Sequence, residues 1–591
     1  MSKMLAFRAW IITLVGFIPF YYLFTLKEMI VYISAVALTF GIRNEDYSEN
    51  KIKIFLKNVL ICLSLTIGAS VFSFNIYIGT LITFIVGFLV YYFYTYENKI
   101  SKAMAFMSYY VLILTFPIGL NQLPMRIGAS FYGICMTFIL YYLAFKKDFK
   151  NNIKNTINAS IDCVASSESD EGKIKARSKS LRLIRDEIYN KIDNSNDNDV
   201  INKAYLDYKI VNLLIVANEN KLDKENKNII NEKFLLSLKD FYNGNVEGEK
   251  FKEILEKVIE NKNNFVRHKE KLLRNALLEI KIYIENKIFE EEYLNKRFKI
   301  KNILTRNSLK YNLSYKFNPS MKDFKFNHAI KGSILIALAV FVVYKFNIPL
   351  GKWILYTIII DNVPFVEKGI KKARDRIFGT VLGFIAVIII FNITQSTLVI
   401  TSLIFLCIYV VFCIPTYDKM AIFITFSAIA GFTLLEHYNV YVLSMERITL
   451  VLVGSIAVYV VIKYIYPYGS KNSIDNLLES FQLLNNEIKN NVNDNEEKIY
   501  ELDIITRHLI RKGNFLSTQF SNEYLDEVLM VENSLILDLN CLYSKEYKEI
   551  AIEKKINKFN YLAEKCKENY NSKNKSKFTE VMKFFRVKKA N

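Results

Sequence analysis

Apolar and polar residues lie in long alternating blocks along the chain. In residues 1–145 and 326–468, apolar runs of 15 to 28 residues follow one another with short polar interruptions. In residues 146–325 and 469–591, apolar positions recur at three- and four-residue steps among charged ones. The first pattern is that of membrane helices, because a helix needs about 20 mainly apolar residues to cross the hydrocarbon core, and fewer only where neighbours or interfacial residues compensate. It predicts crossings at about 9–26, 28–42, 54–74, 76–96, 103–121 and 127–145, then at about 329–346, 349–366, 377–393, 397–416, 420–436 and 439–466. The expected fold is an all-α membrane protein with about twelve transmembrane helices in two six-helix blocks. The second pattern is that of amphipathic helices packed on one another. Leu273, Leu277, Ile280, Ile284 and Ile288 mark one such helix, and Ile474, Leu477, Leu478, Phe481, Leu484 and Ile488 another. Polar breaks at Ser166 to Gly172, Asp193 to Asp199 and Asn243 to Lys250 punctuate the first of these stretches.

Charge sets the orientation. The two apolar blocks carry 21 Lys/Arg against 11 Asp/Glu, and the rest of the chain 57 against 47. With the N-terminus inside, 16 of the 21 fall on cytoplasmic loops and ends, including Lys368, Lys371, Lys372, Arg374 and Arg376, and Lys27, Arg126, Lys345, Lys352 and Arg447 fall outside. The positive-inside rule then puts the N-terminus and both soluble stretches in the cytoplasm, with the chain in the plasma (inner) membrane. The first apolar run, Ala9 to Leu26, is rich in Phe and Tyr and lacks a small-residue cleavage site, so it is expected to be a retained membrane helix. The net charge of +20 comes with no zinc-finger spacing or aromatic-glycine recognition run. It reads as topology and nearness to an anionic leaflet, and no nucleic-acid partner is expected.

Reactive residues are scattered. Cys62, Cys135, Cys407 and Cys413 lie in apolar segments and Cys163, Cys541 and Cys566 in charged ones, while His268, His328, His437 and His508 are isolated. No metal site, disulfide framework or cofactor is expected from such spacing. The stretch Gly244-Asn-Val-Glu-Gly248-Glu-Lys lacks the spacing of a phosphate-binding loop, and no nucleophile elbow or HExxH is present. An enzyme is not expected.

The chain repeats itself. Arg126 precedes Gly133 by seven residues at the start of the sixth predicted crossing, and Arg447 precedes Gly454 by seven at the start of the twelfth, 321 residues later. Six helices separate equivalent points, so the repeats run parallel and are expected to be related by an axis along the membrane normal. Any substrate route then lies near their interface.

In the second block, Trp353-Ile-Leu-Tyr-Thr357, Pro364 and Arg376-Ile-Phe-Gly379-Thr380-Val-Leu-Gly383, followed by Arg447-x-Thr449 and Gly454, resemble the fusaric acid resistance (FUSC) and aromatic acid exporter superfamily. The first block departs from this pattern: it has no Trp at the matching place, and Lys57 is its nearest match to Arg376. The resemblance extends to the layout of six-helix blocks alternating with cytoplasmic helical domains (1–145, 146–325, 326–468 and 469–591). It implies an integral membrane secondary transporter that exports small aromatic or other organic acids or related toxic compounds. An organic-anion channel and a membrane-anchored scaffold without transport are the alternatives. The partners implied are the lipid bilayer and a small organic anion, with room for a homo-oligomer or an accessory membrane protein.

Several residues of the second block carry two readings. Gly379, Thr380 and Gly383 form a small-residue face that lets another helix approach closely. Arg376 either holds an anion or sits at the cytoplasmic mouth of its helix for topology alone. Asp361, in Tyr-Thr-Ile-Ile-Ile-Asp-Asn362-Val-Pro364, falls within a predicted crossing, where an unpaired carboxylate costs roughly 2.5 to 3.5 kcal/mol or more. It serves either a substrate or proton pathway, or a structural hydrogen bond made by Asp361 or Asn362. Pro364 frees a backbone carbonyl one turn later, and such breaks are tolerated where protein or water satisfies them. Arg447 and its counterpart Arg126 either put two cations on a shared pathway or pack against headgroups. Glu446, Glu436 and His437 read as interfacial.

Overall fold

A computed structural model describes residues 3–24, 28–41, 51–72, 75–95, 101–165, 198–220, 232–260, 323–414, 417–436, 439–465, 467–491, 496–520, 523–539 and 549–568, with single positions between 177 and 188, at 230, and between 273 and 321. The side chains of Lys27, Cys163, His268, Ile288, Glu436, His437 and Cys541, the break at 166–172 and nearly all of 193–199 lie outside the described residues.

The described chain is helical, with no strand. The first apolar block gives α1 Lys3–Leu23, α2 Met29–Gly41, α3 Lys51–Val71, α4 Ile76–Tyr94, α5 Ser101–Leu114 and α6 Leu123–Ala165. Between the blocks lie α7 Asn198–Asn220, α8 Glu232–Asn243 and α9 Gly248–Glu260. The second block gives α10 Phe324–Lys345, α11 Lys352–Asp361, α12 Val366–Ile393, α13 Thr397–Cys413, α14 Tyr417–Glu436 and α15 Val440–Val460, which runs on through a π-helical turn, Val461–Ile465. Then come α16 Ser470–Asn490, α17 Glu496–Phe520 and α18 Glu523–Leu539.

Among the described residues five helical segments are long and apolar enough to cross a membrane, namely α4, α10, α12, α14 and the one that begins with α15. Shorter apolar stretches at Thr13–Leu23, Phe55–Val71, Lys102–Leu114 and Thr397–Val411 accompany them. The crossing expected at 349–366 is instead a ten-residue helix, α11. At 1.5 Å per residue it rises about 15 Å, half of a hydrocarbon core. It stops because Pro364 has no amide hydrogen and biases the residue before it away from the helical region. The chain leaves the helix at Asn362, with φ −73° and ψ 88°, and α12 begins at Val366.

The chain groups into two compact units. One holds Met1–Tyr47, Lys51–Lys146 and Phe317–Ser473, and the other Ser48–Asn50, Lys147–Lys316 and Ile474–Asn591. In the first, α10 packs along α4, and α1 packs along α13. The first helix of either apolar block therefore meets the fourth helix of the other. The contact of α10 with α4 is close because it is made of small residues: a Cβ on Gly87 would lie 3.2 Å from the Ser333 Cα. Phe7 and Trp10 meet Tyr409 edge-on at the contact of α1 with α13.

In the second unit both charged stretches, 146–325 and 469–591, contribute to the packing. Glu501 accepts hydrogen bonds from Arg306 and Asn307, Glu487 from Lys310 and Tyr311, and Asn533 from Arg185. Glu532 of α18 is fully buried there, with Oε1 accepting from Asn485 Nδ2 at 2.7 Å and Oε2 without a partner among the described residues. Burial pushes its carboxyl up to about 8, against a smaller opposing pull from Asn485. The folded state then holds a proton that the unfolded chain releases. Unfolding free energy is expected to fall as pH rises from about 4.5 towards 8, by up to about 1.4 kcal/mol per pH unit, and to level off above that range. Glu532→Gln is expected to flatten this slope in denaturant titrations repeated across pH, and an unchanged slope would exclude Glu532 as its source.

Candidate functional site

The second apolar block gathers polar residues from five helices around α11. Thr357, in the middle of α11, donates to the Trp353 carbonyl at 2.7 Å and accepts from Arg376 Nε at 3.1 Å. Arg376 Nη1 donates to Tyr417 Oη at 2.7 Å. Arg376 is thus buried between α11, α12 and α14, and does not snorkel to a headgroup. Lys372, one turn earlier, reaches Met104 Sδ of α5 at 3.3 Å and lies 5.3 Å from the Tyr417 ring centroid.

Asp361 closes α11 and is 0% exposed. Its Oδ2 accepts from Ser455 Oγ of α15 at 2.8 Å, so the structural hydrogen bond weighed from the sequence is present. Its Oδ1 has no partner among the described residues, nor does either side-chain polar atom of Asn362. Half of the Asp361 carboxylate is therefore uncommitted in a setting that penalises bare charge.

Arg447 of α15 is buried with its Cζ 3.8 Å from the Trp353 ring centroid. Its Nε and Nη1 have no partner among the described residues. Gly454, two turns later, brings α15 against α11, since a Cβ there would lie 2.9 Å from the Thr357 Cβ. Arg126 is placed very differently. It is 1% exposed, and its Nε and Nη2 grip both oxygens of Glu28 at 2.9 and 3.3 Å while Nη1 donates to the Phe116 carbonyl. Gly133 follows the same packing as Gly454, its added Cβ falling 3.3 Å from Ala35 of α2. In both blocks the arginine of the sixth helix thus meets the start of the second. A carboxylate receives it in one block and an indole ring in the other, so the two arginines are not a matched pair of open cations.

Gly379 and Gly383 are packing residues. An added Cβ would lie 2.5 Å from Ala421 Cβ at the first and 2.7 Å from Thr425 Cβ at the second, both on α14, and Thr380 is buried beside them. Glycine→alanine at either position is expected to cost about 1 to 3 kcal/mol by overpacking, read as a lowered midpoint in detergent thermal unfolding. A variant as stable as the parent would contradict this geometry. Pro364 ends α11 as described, and Glu446 is half-buried.

Four participants escaped the sequence reading. Glu28 was overlooked beside Lys27 between two apolar runs. Tyr417 is one of 38 tyrosines and Ser455 one small residue in an apolar helix, and neither carries a sequence signal. Lys331 had a signal, as a lone cation within an apolar stretch. It is 0% exposed on α10, and its Nζ donates to the Pro364 carbonyl at 3.0 Å and the Val363 carbonyl at 3.3 Å. One turn before it, His328 lies edge-on to Tyr91 of α4 with ring centroids 4.8 Å apart.

Among the described residues of 326–468, three buried cations, Lys331, Arg376 and Arg447, therefore stand with one buried carboxylate, Asp361, whereas the described buried charges of the first block, Arg126 and Glu28, are paired. Among the described residues no group of three or more His, Cys, Asp or Glu is placed to hold a metal ion.

Comparison with known proteins locates the same region. The family model described as fusaric acid resistance protein-like matches residues 337–461, the segment that holds Trp353, Asp361, Arg376, Arg447 and Gly454. No curated protein and no solved structure matches the chain.

Proposed function

Since residues 337–461 match the fusaric acid resistance protein-like family model and the chain is a multi-pass membrane protein, we propose that it is a secondary transporter exporting small amphipathic organic acids. One observation carries this reading: among the described residues of 326–468 the buried charge is positive by two, with the Nε and Nη1 donors of Arg447 unfilled beside the Trp353 ring. Uncompensated charge in a membrane interior is costly, and buried ions are otherwise paired. An organic anion supplies the missing negative charge. Its carboxylate fits the Arg447 guanidinium, and its apolar body fits Trp353, whose ring adjoins those of Tyr356 and Phe432. Arg376 adds positive potential, and Asp361 with Asn362 belongs to the same substrate or proton pathway.

The reading includes twelve helical passages, one of them α11 with the unwound residues after it. The N-terminus and both soluble stretches are cytoplasmic, in the plasma membrane. The reciprocal contacts of α1 with α13 and of α10 with α4 support two parallel repeats related by an axis along the membrane normal. An organic-anion channel is the second reading, because two buried arginines also suit the positive lining of an anion pore.

The test is flux in proteoliposomes with a panel of aromatic and aliphatic acids, comparing the wild type with Asp361→Asn and Arg376→Gln. Carrier-type saturable flux weakened by the substitutions supports the exporter. Large currents without proton coupling support the channel. Absence of any flux, with a stable protein partner captured by the soluble unit, supports a scaffold.

A further inference from the structure

The unwound residues 362–365 are where the backbone of the second block is least provided for. α11 ends at Asp361, Pro364 offers no amide, and the Val363 and Pro364 carbonyls stand outside any helical ladder. Broken helices in transporters place coupling ions at such carbonyls. Here the position is taken by a tethered cation, the Lys331 ammonium. We infer that Lys331 is the proton-carrying residue of transport, its ammonium locking residues 363–364 and its neutral amine releasing them. This rests on the exporter reading and deepens it.

Among the described residues the ammonium has no other anchor than these two carbonyls. Among the described residues Lys331 forms no ion pair. On its own helix the nearest titratable group is His328, turned against Tyr91 of α4. The one carboxylate of α11, Asp361, is engaged by Ser455 of α15. From α12, Lys372 reaches Met104 of α5 and Arg376 reaches Thr357 and Tyr417, while Lys463 of the π-helical turn is exposed and bonded to Tyr459. The lysine therefore exchanges carbonyl contacts for a lost proton without breaking a salt bridge. Arginine, which cannot be deprotonated in a protein, could not do this, and lysine can.

The lock is connected to the anion-binding cluster through α11. That helix carries Trp353 under Arg447 at one end, Thr357 on Arg376 in its middle, and the segment held by Lys331 after its last residue. Gly332 makes the arrangement tight, since a Cβ there would lie 2.5 Å from Asn362 Nδ2 and 2.6 Å from Tyr91 Cε2. Loss of the Lys331 proton frees the far end of the element on which the anion sits. In one export cycle the ammonium gives its proton to cytoplasmic water, leaving a neutral amine, and the amine takes a proton from the outer side. One proton moves inward per cycle, and no other cation is needed.

The experiment is benzoate flux in proteoliposomes with the membrane potential clamped, at equal pH and with an inward proton gradient of one unit, with sodium present and with choline in its place. The wild type is expected to show up to about tenfold gradient-driven accumulation, the equivalent of 1.4 kcal/mol for one proton, independent of sodium. Lys331→Arg keeps the charge but not the exchange, and is expected to lose the accumulation while keeping benzoate–benzoate exchange at equal pH. A Lys331→Arg protein that still accumulates overturns the inference and assigns the proton elsewhere. Wild type without benzoate flux counts against the exporter itself. A second readout then decides the inference alone: with Trp10→Phe, Trp353 is the sole tryptophan, and its emission is expected to titrate with pH when residue 331 is lysine and to stay flat when it is arginine. Identical titrations would refute a lock at Lys331.

Discussion

Arg447→Gln is expected to reduce organic-anion transport roughly 10- to 100-fold, the range of losing a hydrogen-bonded charge worth about 1.5 to 3 kcal/mol. The expectation follows from placement. Arg447 is buried, its guanidinium Cζ lies 3.8 Å from the Trp353 ring centroid, and its Nε and Nη1 donate to nothing among the described residues. A guanidinium stacked on an indole remains planar and pre-organised for a carboxylate, so Arg447→Lys should recover little, because an ammonium neither stacks nor forks in that way. Initial rates across substrate concentration separate the outcomes. Loss in KM alone means binding equal in ground and transition states, and loss in both parameters means that Arg447 acts during translocation. Rates unchanged in both variants would remove it from the pathway.

Glu28→Gln is expected to destabilise the first apolar block by about 3 to 5 kcal/mol, because it leaves Arg126 buried without its counter-charge. The pair is side-on and buried on both partners, at 1% and 3% side-chain exposure. Replacing both partners by apolar residues, as in Glu28→Leu with Arg126→Met, should restore much of the loss, since isosteric apolar pairs often equal a buried ion pair. Thermal unfolding in detergent reads both. Transport per folded molecule should survive in the double variant, in contrast to Arg447→Gln. A double variant that folds well yet transports nothing would return Arg126 to the pathway.

These two arginines show where the sequence was informative and where it was silent. Their spacing to Gly133 and Gly454 matches a shared contact, because in both blocks packing of the sixth helix against the second involves residues seven apart on one helix. Their different environments were hidden, because Glu28 lies 98 residues from Arg126, and Trp353 lies on another helix from Arg447. Hydropathy places helices along the chain but does not report their neighbours.

The shortening of α11 illustrates a second limit. Residues 349–366 are apolar enough for a crossing, and hydropathy measures transfer from water rather than backbone continuity. Asn362 and Pro364 are the local signal of a break, and Pro364 predicts a freed carbonyl near Asp361. The cation that meets the freed backbone comes from α10, over thirty residues earlier. Likewise the periodicities around Leu277 and Leu478 announced helices with one apolar face, but such a face does not name its partner, and both stretches share one compact unit.

Binding of an organic anion beside Arg447 and Trp353 is the central expectation, and the chain supplies its own reporter. It has two tryptophans, so Trp10→Phe leaves Trp353 alone. Titrating that protein with benzoate is expected to change Trp353 emission saturably, with benzyl alcohol inert, and the response should vanish when Arg447→Gln is added. An emission that ignores benzoate, or a saturable response that survives Arg447→Gln, would contradict the assignment of this site to an organic anion.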